Sequence, residues 1–315
     1  MSASPTPSLS ISATDWLLLI LLSVLWGGAF YFAKIAVLEI PTLTLVFGRV
    51  AIAAVILLML MQLIRAPLPR DRETWQILAV MAVLNNVLPF ALIVWAQIHI
   101  TIGLAAILNA TSPLFGVFVA HALTADDKLS PGRVAGLIAG FAGVVLLIGP
   151  DLLLGELGAN LWAQLACLAA ACSYAFGAVY SRRLRGLPPL TVATGQLTMS
   201  ALWLLPIVLI FDTPGIVMSV SRAALWALVA LAVLSTAFAY LIYFRLIARA
   251  GATNALLVTF LIPVSAILLG MVLLSERLAT HQIAGMIAIF VGLAAIDGRP
   301  ARVVGTLFRK TESRK

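Results

Sequence analysis

Polar side chains standing inside long apolar runs are the residues of this sequence with chemistry to offer. Asn85 and Asn86 fall in the run 75–97, Asn109 in 101–123, Thr236 in 222–244 and Thr259 in 253–274. Each is costly in hydrocarbon unless it bonds a neighbour or lines a wet cavity. At helical spacing Asn86, Phe90, Ile93 and Gln97 form one face, and Thr236, Tyr240 and Tyr243 form another. Two such faces opposed across a cavity would bind rather than react. Amides and hydroxyls would orient a zwitterion, and the rings would supply contact area for an apolar side chain. Hydrogen bonding between helices, without a ligand, is the alternative use of the same groups. Trp26 and Tyr31 on the first run, beside Gly27 and Gly28, and Tyr174 on the sixth extend the candidate wall.

Arg49 is the one cation well inside a run. It has two possible uses: meeting a substrate carboxylate, or bonding helix-end carbonyls and fixing the packing of the first two helices. Its repeat mate, introduced below, is the neutral Gln196, which argues against a duplicated binding function and favours the structural use. Pro113 and Pro263 lack the N–H that would reach the carbonyls of Asn109 and Thr259. Both positions gain a loosened backbone beside a polar side chain, which suits paired hinges bordering a site; a static kink that improves packing serves equally. Pro89 frees the carbonyl of Asn85 in the same way, but Ala239 stands at its counterpart.

Catalysis and pumping lack their parts. No nucleophile–base set, His–Glu metal motif or phosphate-binding GxxxxGK[ST] loop occurs. Cys167 and Cys172 lie five apart in one run, which is neither a disulfide framework nor a metal pattern. Asp15, Glu39, Asp127, Glu276 and Asp297 all stand near the ends of runs, leaving no mid-span carboxylate to bind a lipophilic cation or relay a proton.

Helices must position these groups. The chain is 63% hydrophobic and 10% charged over 315 residues, too apolar for a water-soluble core. That composition excludes a disordered chain, a secreted disulfide scaffold and a single-pass anchor on a soluble enzyme. A spanning helix needs about 20 apolar residues. Charge, Pro and Gly punctuate ten candidates at about 15–37, 42–64, 75–97, 101–123, 131–149, 160–181, 189–211, 222–244, 253–274 and 280–297. The runs are continuous rather than alternating, so a membrane β-barrel is excluded. Residues 1–14 carry no Lys or Arg, which is unlike a cleaved signal or an organelle presequence.

Lys and Arg set the orientation. With the N-terminus in the cytoplasm, sixteen fall on the cytoplasmic side and three, Lys34, Arg222 and Arg277, on the outer side. Both termini are therefore expected inside, and the net charge of +8 needs no nucleic acid to explain it.

The sequence also repeats. LWGGAFYFAK from Leu25 returns as SYAFGAVYSR from Ser173, and PTLTLVFGR from Pro41 returns as PPLTVATGQ from Pro188. Asn86, Phe90 and Ile93 match Thr236, Tyr240 and Tyr243, while Asn109 and Pro113 match Thr259 and Pro263. DDKLSPGRVAGLIAGFAGV matches SERLATHQIAGMIAIFVGL. Each half holds five helices, an odd number, so the second half must start from the opposite side of the membrane. The expectation is an all-α polytopic membrane protein of ten transmembrane helices in two inverted five-helix repeats. The repeats cover 15–149 and 160–297, joined by an external linker at 150–159, with a cytoplasmic tail at 1–14 and a basic one at 298–315. Inverted repeats suit alternating access to a midplane site between the halves.

The segments LWGGAFYFAKIA, FGRVAIAAVILL, DKLSPGRVAGLIAGFAGV and SERLATHQIAGMIAIFVGL resemble the drug/metabolite transporter superfamily, specifically its EamA-domain family, across nearly all of residues 15–297. The pair Asp127 and Lys128 stands where the second copy has Glu276 and Arg277, conserving charge. The resemblance implies a bacterial cytoplasmic-membrane carrier, not an enzyme, exporting amino acids or related metabolites, with the aromatic amino-acid exporters of the YddG type as the nearest branch. A drug or nucleotide-sugar carrier is the alternative within transport, and a membrane enzyme or sensor the alternative outside it. No cofactor is expected. The expected partners are a small-molecule substrate and membrane lipids, and a monomer suffices.

Overall fold

The computed structural model describes residues 12–124, 130–153, 159–212, 215, 218–255 and 257–297. Most of the expected N-terminal tail, Asp127 and Lys128, part of the central linker and the basic C-terminal tail lie outside the described residues. Among the described residues the structure is helical, without strands. The helices are α1 (Ala13–Val37), α2 (Thr42–Leu63), α3 (Arg72–His99), α4 (Ile102–Leu123), α5 (Pro131–Leu153), α6 (Ala159–Tyr180), α7 (Pro189–Phe211), α8 (Arg222–Ala250), α9 (Val258–Leu273) and α10 (Thr280–Asp297). The first eight are long and apolar enough to cross a membrane, while α9 and α10 are shorter apolar helices.

Local chemistry sets several boundaries. Ser12 and Asp15 form a capping box that starts α1, each satisfying the other's backbone N–H. Asp71 accepts from the N–H of Thr74 and starts α3 earlier than the apolar pattern suggests. Large apolar side chains face outward along the helices, among them Trp162, Leu209, Phe211, Trp226 and Val272. A protein in water rarely exposes so much apolar surface, whereas hydrocarbon chains accept it. This is a multi-pass membrane protein.

The halves pack mainly against each other. Helix α5 lies on α10, α2 on α7, α1 on α9 and on α8, and α6 on α4 and on α3. Helix α2 also meets α8, and α3 meets α7. Adding five to each number in a pair, modulo ten, turns α1–α9 into α6–α4, α1–α8 into α6–α3, and α2–α8 into α7–α3. Small residues permit the approach, as expected where lipid removes the hydrophobic drive between helices. A Cβ on Gly136 would sit 2.6 Å from the carbonyl oxygen of Gly292, and one on Gly143 would sit 2.7 Å from that of Gly285. These glycines therefore form a contact within the bundle.

Polar links join the turns at one end of the bundle. Glu39, between α1 and α2, accepts from the N–H and hydroxyl of Ser221 at 2.7 Å each, at the start of α8. Asp212 at the end of α7 accepts from the N–H and hydroxyl of Thr44 in the first turn of α2, both at 2.8 Å. Glu276, between α9 and α10, accepts from the N–H of Ile102 at the start of α4. Lys34 donates to the carbonyls of Gln97 and Ile100 at the end of α3. Elsewhere, Asp15 of α1 pairs with Arg249 of α8 at 2.8 Å.

Candidate functional site

Two helices change pitch at matching places. In α3, residues Val83–Val87 form a π-helical turn, in which the N–H of Leu88 reaches the carbonyl of Val83. In α8, residues Val233–Phe238 do the same. The starts of these turns lie 150 residues apart, which is also the spacing of Asn86 from Thr236. Such turns insert an extra residue into an α-helix and recur at functional sites. Pro89 follows the first one and has no N–H for the carbonyl of Asn85. In the second, the hydroxyl of Thr236 donates to the carbonyl of Leu231 at 2.8 Å.

Helix α4 is divided as well. Its first segment ends at Asn109 and its second runs Ser112–Leu123, with Pro113 in the opening turn. The hydroxyl of Ser112 donates to the carbonyl of Asn109 at 2.6 Å, so that acceptor is occupied. In the other half a short helical piece, Ala252–Ala255, precedes α9, and Pro263 lies inside α9 four residues after Thr259.

A cavity of about 330 Å³ opens between these irregular segments, within the range of ordinary small-molecule sites. Trp26, Asn85, Phe90, Asn109, Tyr174, Thr236, Tyr240, Tyr243 and Thr259 all line it, and so does Arg49. Trp26 and Tyr243 stand 5.3 Å apart between ring centroids and make one aromatic wall. Tyr240 stacks on Phe244 at 5.8 Å, and its hydroxyl accepts from Gln196 at 3.2 Å.

Arg49 is the cavity's charged group. Its guanidinium carbon lies 3.7 Å from the centre of the Phe90 ring, a cation–π geometry. Its Nε–H donates to Oγ1 of Thr236 at 3.0 Å. No carboxylate is among the residues lining the cavity, and among the described residues none forms an ion pair with Arg49. The terminal nitrogens of the guanidinium retain donors for a ligand.

Tyr31, Asn86, Pro113 and Pro263 do not line the cavity. Tyr31 is five residues beyond Trp26, on another face of α1, and its ring meets Phe32 at 5.5 Å. The positions four and seven beyond Trp26, Phe30 and Ala33, face the cavity instead. Asn86 is fully buried and donates to the hydroxyl of Ser200 on α7 at 2.9 Å. The π turn supplies the reason. One extra residue shifts the face, so Asn85 rather than Asn86 lies in register with Phe90, Ile93 and Gln97. Asn85 is accommodated because α6 has Gly177 opposite, where any Cβ would collide with its Oδ1. Sequence reasoning missed Ser112, Ser235 and Ile262, which also line the cavity. Ser235 was detectable as the repeat mate of Asn85.

Apolar helices packed around a cavity of mixed aromatic and polar lining fit a membrane carrier. The EamA-like transporter family matches the chain over residues 15–149 and again over 161–296. The chain belongs to that family, within the drug/metabolite transporter superfamily, and is a transporter of small molecules. It is 24% identical over 276 residues to an uncharacterized transporter, YoaV, of Bacillus subtilis (strain 168), covering 87% of this chain and 94% of the relative. It is 28% identical over 289 residues to YvbV, an uncharacterized transporter of the same organism, covering 89% and 90%. Protein PecM of Dickeya dadantii (strain 3937) is 27% identical over 233 residues, with 73% of this chain and 76% of that protein covered. One crystal structure shares the fold with a TM-score of 0.62 at 20% identity, covering 90% of this chain and 97% of that one.

Proposed function

We propose that this transporter carries neutral amino acids, aromatic ones included, or closely related carboxylates, out of a bacterial cell through its inner membrane by alternating access. One observation carries the reading: a half-buried guanidinium with spare donors and no protein carboxylate faces a cavity walled by Trp26, Phe90, Tyr174, Tyr240 and Tyr243. A substrate carboxylate would satisfy the cation, and an apolar or aromatic side chain would fill the wall. A single cation suits a carboxylate better than a diphosphate. The lack of an acidic residue in the lining disfavours a cationic drug.

The reading treats the two halves as inverted repeats that exchange shapes around this cavity, with both termini in the cytoplasm. It is supported by the exchange of helix pairs under the repeat and by the matching π turns. The links among the α1–α2, α3–α4, α7–α8 and α9–α10 turns also support it. Those turns share one end only if α1 and α6 run in opposite directions. Pro113 and Pro263 serve as the hinges in this scheme.

Counterflow in proteoliposomes tests the proposal. Purified protein should accelerate exchange of labelled Phe, Thr or Met over protein-free vesicles. No acceleration across a broad amino-acid panel would defeat it.

A further inference from the structure

Beyond Arg49, the cavity holds a second polar station whose hydrogen-bonding sense is fixed. Gln97 is fully buried, and it lines the cavity. Its Nε2 donates to the carbonyl of Phe30 at 2.7 Å, which commits the other end of the amide to being an acceptor. That oxygen, Oε1, has no hydrogen-bond partner. The residue is also held through its backbone, since its carbonyl accepts from Lys34. A buried acceptor left unpaired in this way is costly until a donor reaches it.

Helix geometry separates Gln97 from the Arg49 end along the cavity wall. Phe90, Ile93, Val94 and Gln97 all line the cavity from the same continuous stretch, Leu88–His99. Phe90, under the guanidinium, and Gln97 are seven residues apart, so they share a face and are separated by roughly 10 Å along the axis. Arg49 and Gln97 thus border different depths of the cavity, about two helical turns apart along this stretch.

We infer that Gln97 reads a hydrogen-bond donor at the far end of the substrate's side chain, so that the preferred substrates are amino acids tipped with a neutral donor, a phenol or an indole N–H. The inference rests on the carboxylate-binding reading of the cavity given above. Gln97 acts here as a specificity residue, with Arg49 anchoring the opposite end of the same molecule. A substrate without the distal donor still binds Arg49 but leaves Oε1 unpaired.

Matched pairs of competitors test this in counterflow of labelled phenylalanine, methionine or threonine by the full-length protein in proteoliposomes. The pairs are tyrosine with phenylalanine and tryptophan with 1-methyltryptophan. In the wild type the donor-bearing member of at least one pair should inhibit at a concentration at least roughly fivefold lower. In Gln97→Met the same gap should shrink below roughly twofold, because a thioether offers only a weak acceptor. Equal potency within every pair in the wild type overturns the inference and needs no variant. So does a gap that survives in Gln97→Met. Should no labelled substrate show counterflow, the carboxylate reading falls and takes this inference with it. Flux without discrimination removes Gln97's role alone.

Discussion

The Nε–H of Arg49 on α2 donates to Oγ1 of Thr236 on α8, and the same hydroxyl donates to the carbonyl of Leu231. One hydroxyl thus joins the cavity's cation to the π turn of the opposite half. Both hydrogen bonds of this hydroxyl are made within the protein, so the main use of Thr236 is to hold Arg49. Thr236→Val keeps the shape but removes both bonds. We expect the half-saturation concentration for a carboxylate substrate to rise roughly threefold to tenfold, with Thr236→Ser close to wild type. Counterflow measured against substrate concentration checks this. A normal half-saturation in Thr236→Val would show that the bond does not orient the guanidinium.

Arg49→Gln copies the residue at the repeat-related position, Gln196. It should weaken carboxylate substrates by roughly tenfold or more, since a hydrogen bond to a charged group contributes about 1.5–3 kcal/mol. Competition by an amino acid and by its amide gives the specific readout. Wild type should prefer the acid, and the variant should lose that preference. If both proteins rank the two alike, Arg49 has only a packing role.

Asn86 bonds Ser200 away from the cavity, and the hydroxyl of Ser200 in turn donates to the carbonyl of Gln196. Asn86→Ala should therefore lower thermal stability, by about 1–2 kcal/mol for a buried polar partner lost, while leaving substrate half-saturation near wild type. Fluorescence-detected unfolding and counterflow separate the two effects. A large rise in half-saturation at unchanged stability would return Asn86 to the site.

The contrast between Asn85 and Asn86 marks where sequence legibility ends. Apolar runs gave the helices to within a few residues, because the hydrocarbon thickness requires their length and composition. The repeat singled out Asn109, Thr236, Tyr240 and Thr259, all of which line the cavity. The π turns left no comparable trace. Strict α-spacing therefore chose Asn86 where Asn85 faces inward. The packing of Arg49 against Phe90 is likewise a contact between helices, which periodicity along one helix cannot reveal.

The α5–α10 contact supplies a test independent of the cavity. A side chain on Gly292 would meet the carbonyl of Gly136 at 2.5 Å and the backbone of Gly140 at the same distance. Backbone cannot yield as a side-chain tip can. Gly292→Val should reduce folded yield or destabilise the protein by about 1–3 kcal/mol or more. Gly116, with nothing within 4 Å, should accept Ala without loss. Equal yields of folded monomer for Gly292→Val and wild type in detergent would contradict the close approach.

Glu39 gives a pH dependence with a definite sign. The hydroxyl of Ser221, and then its backbone N–H, hold the Glu39 carboxyl below the ordinary range. A carboxyl depressed in the folded state stabilises fully above its unfolded pKa, about 4.3, and that contribution disappears as pH falls through the lower folded value. Glu39→Gln has no such titration. Its melting temperature should lie below wild type at pH 6, and the gap should close on acidification below pH 4. Because Glu39 joins the α1–α2 turn to the start of α8, the variant should also loosen that end of the bundle. Labelling of a cysteine placed at Val220 would then run faster than in the same cysteine protein with Glu39 intact. A melting gap that stays constant from pH 6 to pH 3 would mean that the Glu39–Ser221 bonds do not contribute through the ionised carboxylate.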